Sequence, residues 1–158
     1  MCQTINNSWG YRLRDTNHKS TKDLIHLLVR ASGYNSNLLL NVGPMPTGQI
    51  DPISTARLRE MGQWLAKNGE TIYGTRGGFL TPSYWGAITQ KGNKIYLHIL
   101  NKDGANLTLD FPNAIESARW FNVDHDLVWN QNAETNVVTF SLDGATDPIN
   151  SIIEVVVK

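Results

Sequence analysis

The sequence has 158 residues, of which 41% are hydrophobic and 18% are charged, and its 14 basic residues balance its 14 acidic residues. A net charge of zero leaves no basic surplus to neutralise phosphates, so we expect no nucleic-acid partner. The longest apolar runs, such as 38–40 and 155–157, are far too short to span a bilayer, so we expect no membrane partner either.

Helix and strand patterns alternate in the first half of the chain. Ser20, followed three residues later by Asp23, is an N-terminal helix signal. Apolar residues at helical spacing continue from there to Ala31, and Gly33 predicts a left-handed end of this helix. The next run, 37–43, is apolar on both faces, which is typical of a parallel strand covered on both sides.

A second helix is predicted after a loop that contains prolines and glycines. Asp51 suits the N-cap and Pro52 the first helical position. An apolar stripe follows, and the pair 68–69 (Asn-Gly) supplies a stop. The order of loop, helix, strand, loop and helix is typical of a β/α barrel or a doubly wound sheet.

After about residue 78 the pattern changes to short extended segments. The turn at 91–93 separates two extended runs as in a hairpin. Three more strands are predicted around 107–111, 137–142 and 152–157. No helical stripe of useful length follows residue 78, so we predict an antiparallel β-sandwich.

Three stretches of the first half resemble the α-L-fucosidases of glycoside hydrolase family twenty-nine. They are TINNSWGY at 4–11, NLLLNVGP at 37–44 and GQWLAKNGETIYGT at 62–75. Their order and spacing make the resemblance specific over residues 1–76. The β-rich second half carries no motif of its own and is assigned by its position.

The resemblance implies an α/β part followed by an all-β part. Residues 1–78 would be the last part of a catalytic (β/α) barrel, with 37–43 as its final strand and 51–67 as its final helix. Residues 79–158 would be a C-terminal antiparallel β-sandwich domain. This division agrees with the change of pattern near residue 78.

The resemblance also implies an activity, the hydrolysis of terminal α-L-fucose from glycans by a retaining mechanism. Retention needs a carboxylate nucleophile and a second carboxyl group that acts as acid and then as base. Both are expected in upstream motifs that this chain does not contain, so we name no catalytic residue here. The chain alone is therefore expected to be inactive, with the upstream part of the barrel as its partner and a fucosylated glycan as the substrate.

Trp9 is the one residue that the resemblance places in the fucose pocket. A ring suits this role because fucose has an apolar face and a C6 methyl group. The alternative is a buried core tryptophan. Asn6, Asn7 and Asn41 could bind sugar hydroxyls, but asparagines at strand ends more often bond nearby backbone, and we favour that interpretation.

The remaining candidates have simpler interpretations. The four histidines show no metal-ligand spacing, and we expect neither a metal nor another cofactor. Trp85, Trp120 and Trp129 could stack on sugars, although core roles are favoured. The sandwich would then either bind glycans without chemistry or brace the barrel. The resemblance implies a periplasmic or extracellular parent enzyme, while the sequence itself leaves the localisation open.

Overall fold

The computed structural model describes residues 1–158 and contains two α-helices, one 3-10 turn and ten β-strands. The helices are α1 (Thr21–Gly33) and α2 (Pro52–Asn68), and the 3-10 turn spans Gly69–Thr71. The strands are β1 (Cys2–Thr4), β2 (Leu39–Asn41), β3 (Arg76–Gly77), β4 (Gly86–Lys91), β5 (Lys94–Ile99), β6 (Asn106–Asp110), β7 (Ile115–Trp120), β8 (Trp129–Gln131), β9 (Val137–Ser141) and β10 (Ser151–Val157). Neither helix has the length and apolar character that crossing a bilayer requires.

The ten strands form three sheets. Strands β1 and β2 pair in parallel, with Thr4 opposite Asn41. A five-stranded antiparallel sheet has the order β3-β4-β5-β10-β7, and a three-stranded antiparallel sheet has the order β6-β9-β8. Strand β10, although last along the chain, therefore lies near the middle of the larger sheet.

The two antiparallel sheets enclose one hydrophobic core, which confirms the predicted sandwich. Alternate residues of β6 are buried, with Leu107 and Leu109 facing inward. Val138 and Phe140 do the same in β9. The larger sheet contributes Leu97 and other apolar residues of β4, β5, β7 and β10. This inward alternation is what the sequence pattern predicts for a strand with one buried face.

The opposite face of the five-stranded sheet is buried as well, by the helices. Its residues Tyr96 and Ile152, together with Phe121 directly after β7, share a second core with Leu24 and Ile25 of α1. Consequently β10 is buried on both faces, in the manner of a strand inside a layered α/β fold. The two halves of the chain are thus joined by a common core.

Helix α1 begins as the sequence predicts and ends differently. Ser20 accepts a hydrogen bond from the Asp23 N–H, and Asp23 accepts one from Ser20 in return, which completes a capping box. Gly33 is the last helical residue and is not left-handed; the residue with φ 55° is Asn35. Gly33 is needed for another reason, since a Cβ there would lie 2.9 Å from the side chain of Ala87 on β4.

Strand β2 is shorter and less covered than the sequence indicates. The predicted run, 37–43, contains a regular strand only at Leu39–Asn41, which does pair in parallel as expected. Its Leu39 side chain is 56% exposed, so the strand is not covered on both sides in this chain. The two-stranded parallel sheet has an unpaired edge on each side.

A buried polar cluster ties the 3-10 turn to the five-stranded sheet. The Thr89 hydroxyl donates to the Thr71 carbonyl oxygen over 2.6 Å and also lies 3.1 Å from His98 Nε2. Since that hydroxyl has used its proton, the histidine must carry its own on Nε2 and donate it to Thr89. His98 Nδ1 then accepts from Asn150 Nδ2 over 2.9 Å. His98 is completely buried, and this burial lowers its pKa to about 3.

We expect the free energy of unfolding to fall as the pH drops below 6.5, the ordinary pKa of histidine. Below that pH His98 binds a proton in the unfolded chain but stays neutral in the folded protein. Its contribution to stability is therefore fully present above pH 6.5 and is lost progressively below it. Between pH 7.5 and 5.5 this one residue should remove about 1.4 kcal/mol. Urea denaturation at both pH values, with His98→Gln as the control that lacks this contribution, measures the effect. An equal pH dependence in both proteins would contradict the assignment.

Candidate functional site

The candidate site lies where the carboxyl ends of β1 and β2 meet. Because the two strands run in parallel, the segments that leave them emerge at the same edge. The loop after β1 carries Trp9, and the loop after β2 carries Gly43. Loops at the carboxyl ends of parallel strands are where α/β proteins build their binding sites.

Trp9 is exposed at this edge and is not part of either core. Its side chain is 56% accessible, so within this chain it belongs to neither core. The Trp9 carbonyl oxygen accepts a hydrogen bond of 2.8 Å from Asn41 Nδ2. The ring is thus presented to the surroundings by a loop that is anchored through its main chain.

Polar contacts fold the loop between β1 and α1. The Ile5 N–H donates to the Asn41 carbonyl oxygen over 3.2 Å, and the Lys19 N–H donates to the Ile5 carbonyl oxygen over 2.7 Å. Further along, the Asn7 N–H donates to Asp15 Oδ2 over 3.0 Å. Asn41 also bonds the backbone through its side chain, as the sequence favours, whereas Asn7 contributes only its main-chain N–H to the bond with Asp15.

Gly43 brings the two loops into direct contact. A Cβ at this position would lie 2.6 Å from the Gly10 carbonyl carbon and from the Tyr11 nitrogen, so no side chain fits. Beside this contact lies a cleft of about 310 Å³, whose lining includes Asn6, Arg12 and Met45. The sequence indicated neither Arg12 nor the close approach of Gly43, since both depend on how the two loops pack.

The carboxylates near this edge serve the local structure. Asp51 caps α2 by accepting from the Ser54 N–H over 2.9 Å, and it lies 3.5 Å from His18 Nε2. Partial burial opposes ionisation of Asp51, but the Ser54 bonds and the neighbouring His18 outweigh it and lower the pKa of the carboxyl group. Asp15 and Asp23 likewise bond backbone N–H groups. All three acids therefore have structural partners, and for Asp23 and Asp51 this is the helix-start role that the sequence predicts.

Neither a metal site nor a tryptophan platform is present elsewhere. No cluster of histidine, cysteine and acidic side chains could hold a metal ion. In the sandwich, Trp120 is 2% exposed, while Trp85 and Trp129 are partly buried against the core. Trp120 thus has the favoured core role, and Trp85 and Trp129 pack against the edge of the same core. Tyr84, which the sequence did not single out, is 71% exposed ahead of β4.

Comparison with known proteins gives a consistent result. The sequence profile of the family described as "Alpha-L-fucosidase" matches residues 1–70. The plasma α-L-fucosidase of Homo sapiens is 35% identical over 126 residues, which cover 74% of this chain and 27% of that protein. The tissue α-L-fucosidase of Homo sapiens is 34% identical over 142 residues, which cover 82% of this chain and 30% of that protein.

The solved structures agree with the sequence comparisons. α-L-Fucosidase isoenzyme 1 from Paenibacillus thiaminolyticus superposes with a TM-score of 0.87 at 32% identity. The superposition covers 99% of this chain and 39% of that one. The chain thus spans well under half the length of the relatives it matches.

The structural role of Asp51 is open to a direct test. Asp51→Ala should cost about 1 kcal/mol because the N-cap is lost, which lowers the melting temperature by roughly 3 °C for a chain of this size. Asp51→Asn is the matched control, since asparagine caps a helix about as well but carries no charge. Thermal unfolding at neutral pH measures both. A loss in the Asn variant as large as in the Ala variant would show that the charge matters more than the cap.

Proposed function

This chain belongs to the α-L-fucosidase family, of whose members it matches a C-terminal portion, and we propose that it forms part of a retaining enzyme that hydrolyses terminal α-L-fucose from glycans. The observation that carries the proposal is the exposed Trp9, held at the carboxyl ends of two adjacent parallel strands. In this role the chain supplies part of the fucose pocket and the domain that supports it.

The chain order β1-α1-β2-α2 supports the barrel assignment of residues 1–78. Two parallel strands joined by a helix are the repeating unit of a (β/α) barrel. Both edges of this small sheet are unpaired, and Leu39 is exposed beside them. Further strands of the same barrel would pair with these edges and cover that side chain. Residues 79–158 then form the C-terminal sandwich domain, although β3 at Arg76–Gly77 already pairs with β4 of its sheet.

Trp9 would contact the apolar face and methyl group of the fucosyl residue. An exposed ring on an anchored loop provides a rigid surface for stacking at little conformational cost. The adjacent cleft, with Asn6 and Arg12 in its lining, adds polar groups that suit a glycan. A mixture of aromatic surface and polar groups is what a sugar requires.

The reaction itself needs two carboxyl groups on opposite sides of the scissile bond. Asp15, Asp23 and Asp51 have the structural partners described above, and no acidic residue of this chain matches a catalytic motif of the family. The nucleophile and the acid/base therefore belong to the rest of the barrel. This chain without that part binds no transition state and is inactive.

The sandwich is better suited to bracing the barrel than to binding glycans itself. Its tryptophans are used in the core. Helix α1 and the residue after it also bond the segment ahead of β4, through Arg30 Nη1 to the Ser83 carbonyl oxygen (2.6 Å) and Tyr34 Oη to the Pro82 carbonyl oxygen (3.2 Å). From the middle of the helix, His26 Nε2 reaches the Ile149 carbonyl oxygen over 2.7 Å. These bonds fix a barrel helix on the sandwich.

The activity is tested by comparing this chain with the product of the longest reading frame that contains it, using a chromogenic aryl α-L-fucoside. We expect hydrolysis by the longer product and none by the 158-residue chain, since only the former would hold both carboxyl groups. Activity of the short chain, or an inactive longer product that is folded, would contradict the proposal. A stop codon directly ahead of Met1 would instead favour the non-catalytic alternative of bracing or glycan binding.

The role of Trp9 is tested in that longer product. Trp9→Ala should lower kcat/KM for the aryl fucoside by roughly 10- to 100-fold, because the stacking surface for the sugar is lost. Tyr84→Ala is the control, since Tyr84 is even more exposed than Trp9 but lies ahead of β4, far along the chain from the strand ends. Equal kinetics in the Trp9 variant and the parent protein would exclude the fucose contact.

A further inference from the structure

We infer that Asn41 is a positioning residue that fixes Trp9 for its contact with the sugar, an inference that rests on the proposed function for its catalytic consequence. Within the loop of residues 5–9, the side-chain amide of Asn41 determines where the exposed ring is held.

Asn41 holds both ends of this loop. Its carbonyl oxygen accepts from the Ile5 N–H over 3.2 Å, at the point where the chain leaves β1. Its Nδ2 donates to the Trp9 carbonyl oxygen over 2.8 Å, four residues later. One residue of β2 therefore bonds both the first and the last residue of the loop after β1, and Trp9 is the last.

The bond from Asn41 is the only hydrogen bond in the structure that involves Trp9. Neither the Trp9 N–H nor its indole Nε1 has a partner. The ring is more than half exposed and lies outside both hydrophobic cores. Since little packing restrains the ring, its position depends on the main-chain anchor.

Gly43 supports the same anchor from the next loop. Its Cα faces the Gly10–Tyr11 peptide so closely that a Cβ would come within 2.6 Å of two backbone atoms. Gly10, directly after Trp9, is thereby held against Gly43, two residues after Asn41. Two residues of one motif thus fix the loop before and after the tryptophan.

The two bonds of Asn41 can be separated by mutation. The bond to Ile5 uses the main chain of Asn41, so it survives any substitution of the side chain. Asn41→Ala removes only the bond to Trp9. The pairing of β1 with β2 stays, and the variant should therefore fold.

The first experiment is fluorine NMR of the full 158-residue chain labelled with 5-fluorotryptophan, which gives one resonance for each of the five tryptophans. Trp9→Phe identifies the Trp9 resonance. We expect Asn41→Ala to shift or broaden this resonance and to leave that of the buried Trp120 unchanged. The control is Asn101→Ala, which removes a similar 2.7 Å bond, from Asn101 Nδ2 to the Tyr84 carbonyl oxygen. An unchanged Trp9 resonance in Asn41→Ala would overturn the inference.

The second experiment measures fucoside hydrolysis by the longer product. Asn41→Ala should reduce kcat/KM by roughly threefold to tenfold, the scale of one hydrogen bond. It should have almost no further effect when Trp9 is already alanine, because a positioning residue acts through its partner. Equal losses in both backgrounds would overturn the inference and leave the proposed function intact. If Trp9→Ala is itself without effect, the fucose contact fails, while the NMR result still decides whether Asn41 positions the ring.

Discussion

The structure depends on one antiparallel sheet that is buried on both faces. The smaller sheet covers one face of the five-stranded sheet, and α1 with the segments around it covers the other. The buried polar side chains on its inner strands β5 and β10 have no solvent to satisfy them, so each needs a partner inside the protein. His98 has Thr89 and Asn150, and Glu154 has the guanidinium of Arg119 at 3.0 and 3.1 Å. These partners are what allow polar residues in a strand with two buried faces.

This arrangement makes the candidate site a property of both halves. Ile5 follows β1 directly and is completely buried in the core that α1 shares with Tyr96 and Phe121 of the sandwich. The loop that begins at Ile5 carries Trp9. The sandwich therefore stabilises the base from which the exposed ring projects, without contributing a side chain to the site. The sandwich thus affects the site indirectly, through the core that the two halves share.

The sequence predicted those features whose causes are local. The capping box at Ser20, the cap at Asp51 and the hairpin at Gly92, which has φ 61°, each depend on a few neighbouring residues. Strand β7 (Ile115–Trp120) was missed because Glu116 and Arg119 interrupt its apolar pattern, and Arg119 is explained only by Glu154 on the neighbouring strand. The true reason for Gly33, its closeness to Ala87, involves residues more than fifty positions apart. Likewise, the bond between Asn41 and Trp9 could not be predicted, because only the fold brings these two residues together.

The position of β10 also affects how the protein can be made. Residues 151–157 insert between β5 and β7, which have no other connection within that sheet. During synthesis on the ribosome, which adds roughly 5–20 residues per second, both faces of the sheet stay incomplete until this segment has emerged. A nascent chain must therefore keep its exposed strand edges from pairing with other chains until then. A premature stop codon ahead of residue 151 would release a polypeptide that lacks this interior strand, which quality-control proteases should recognise as unfolded.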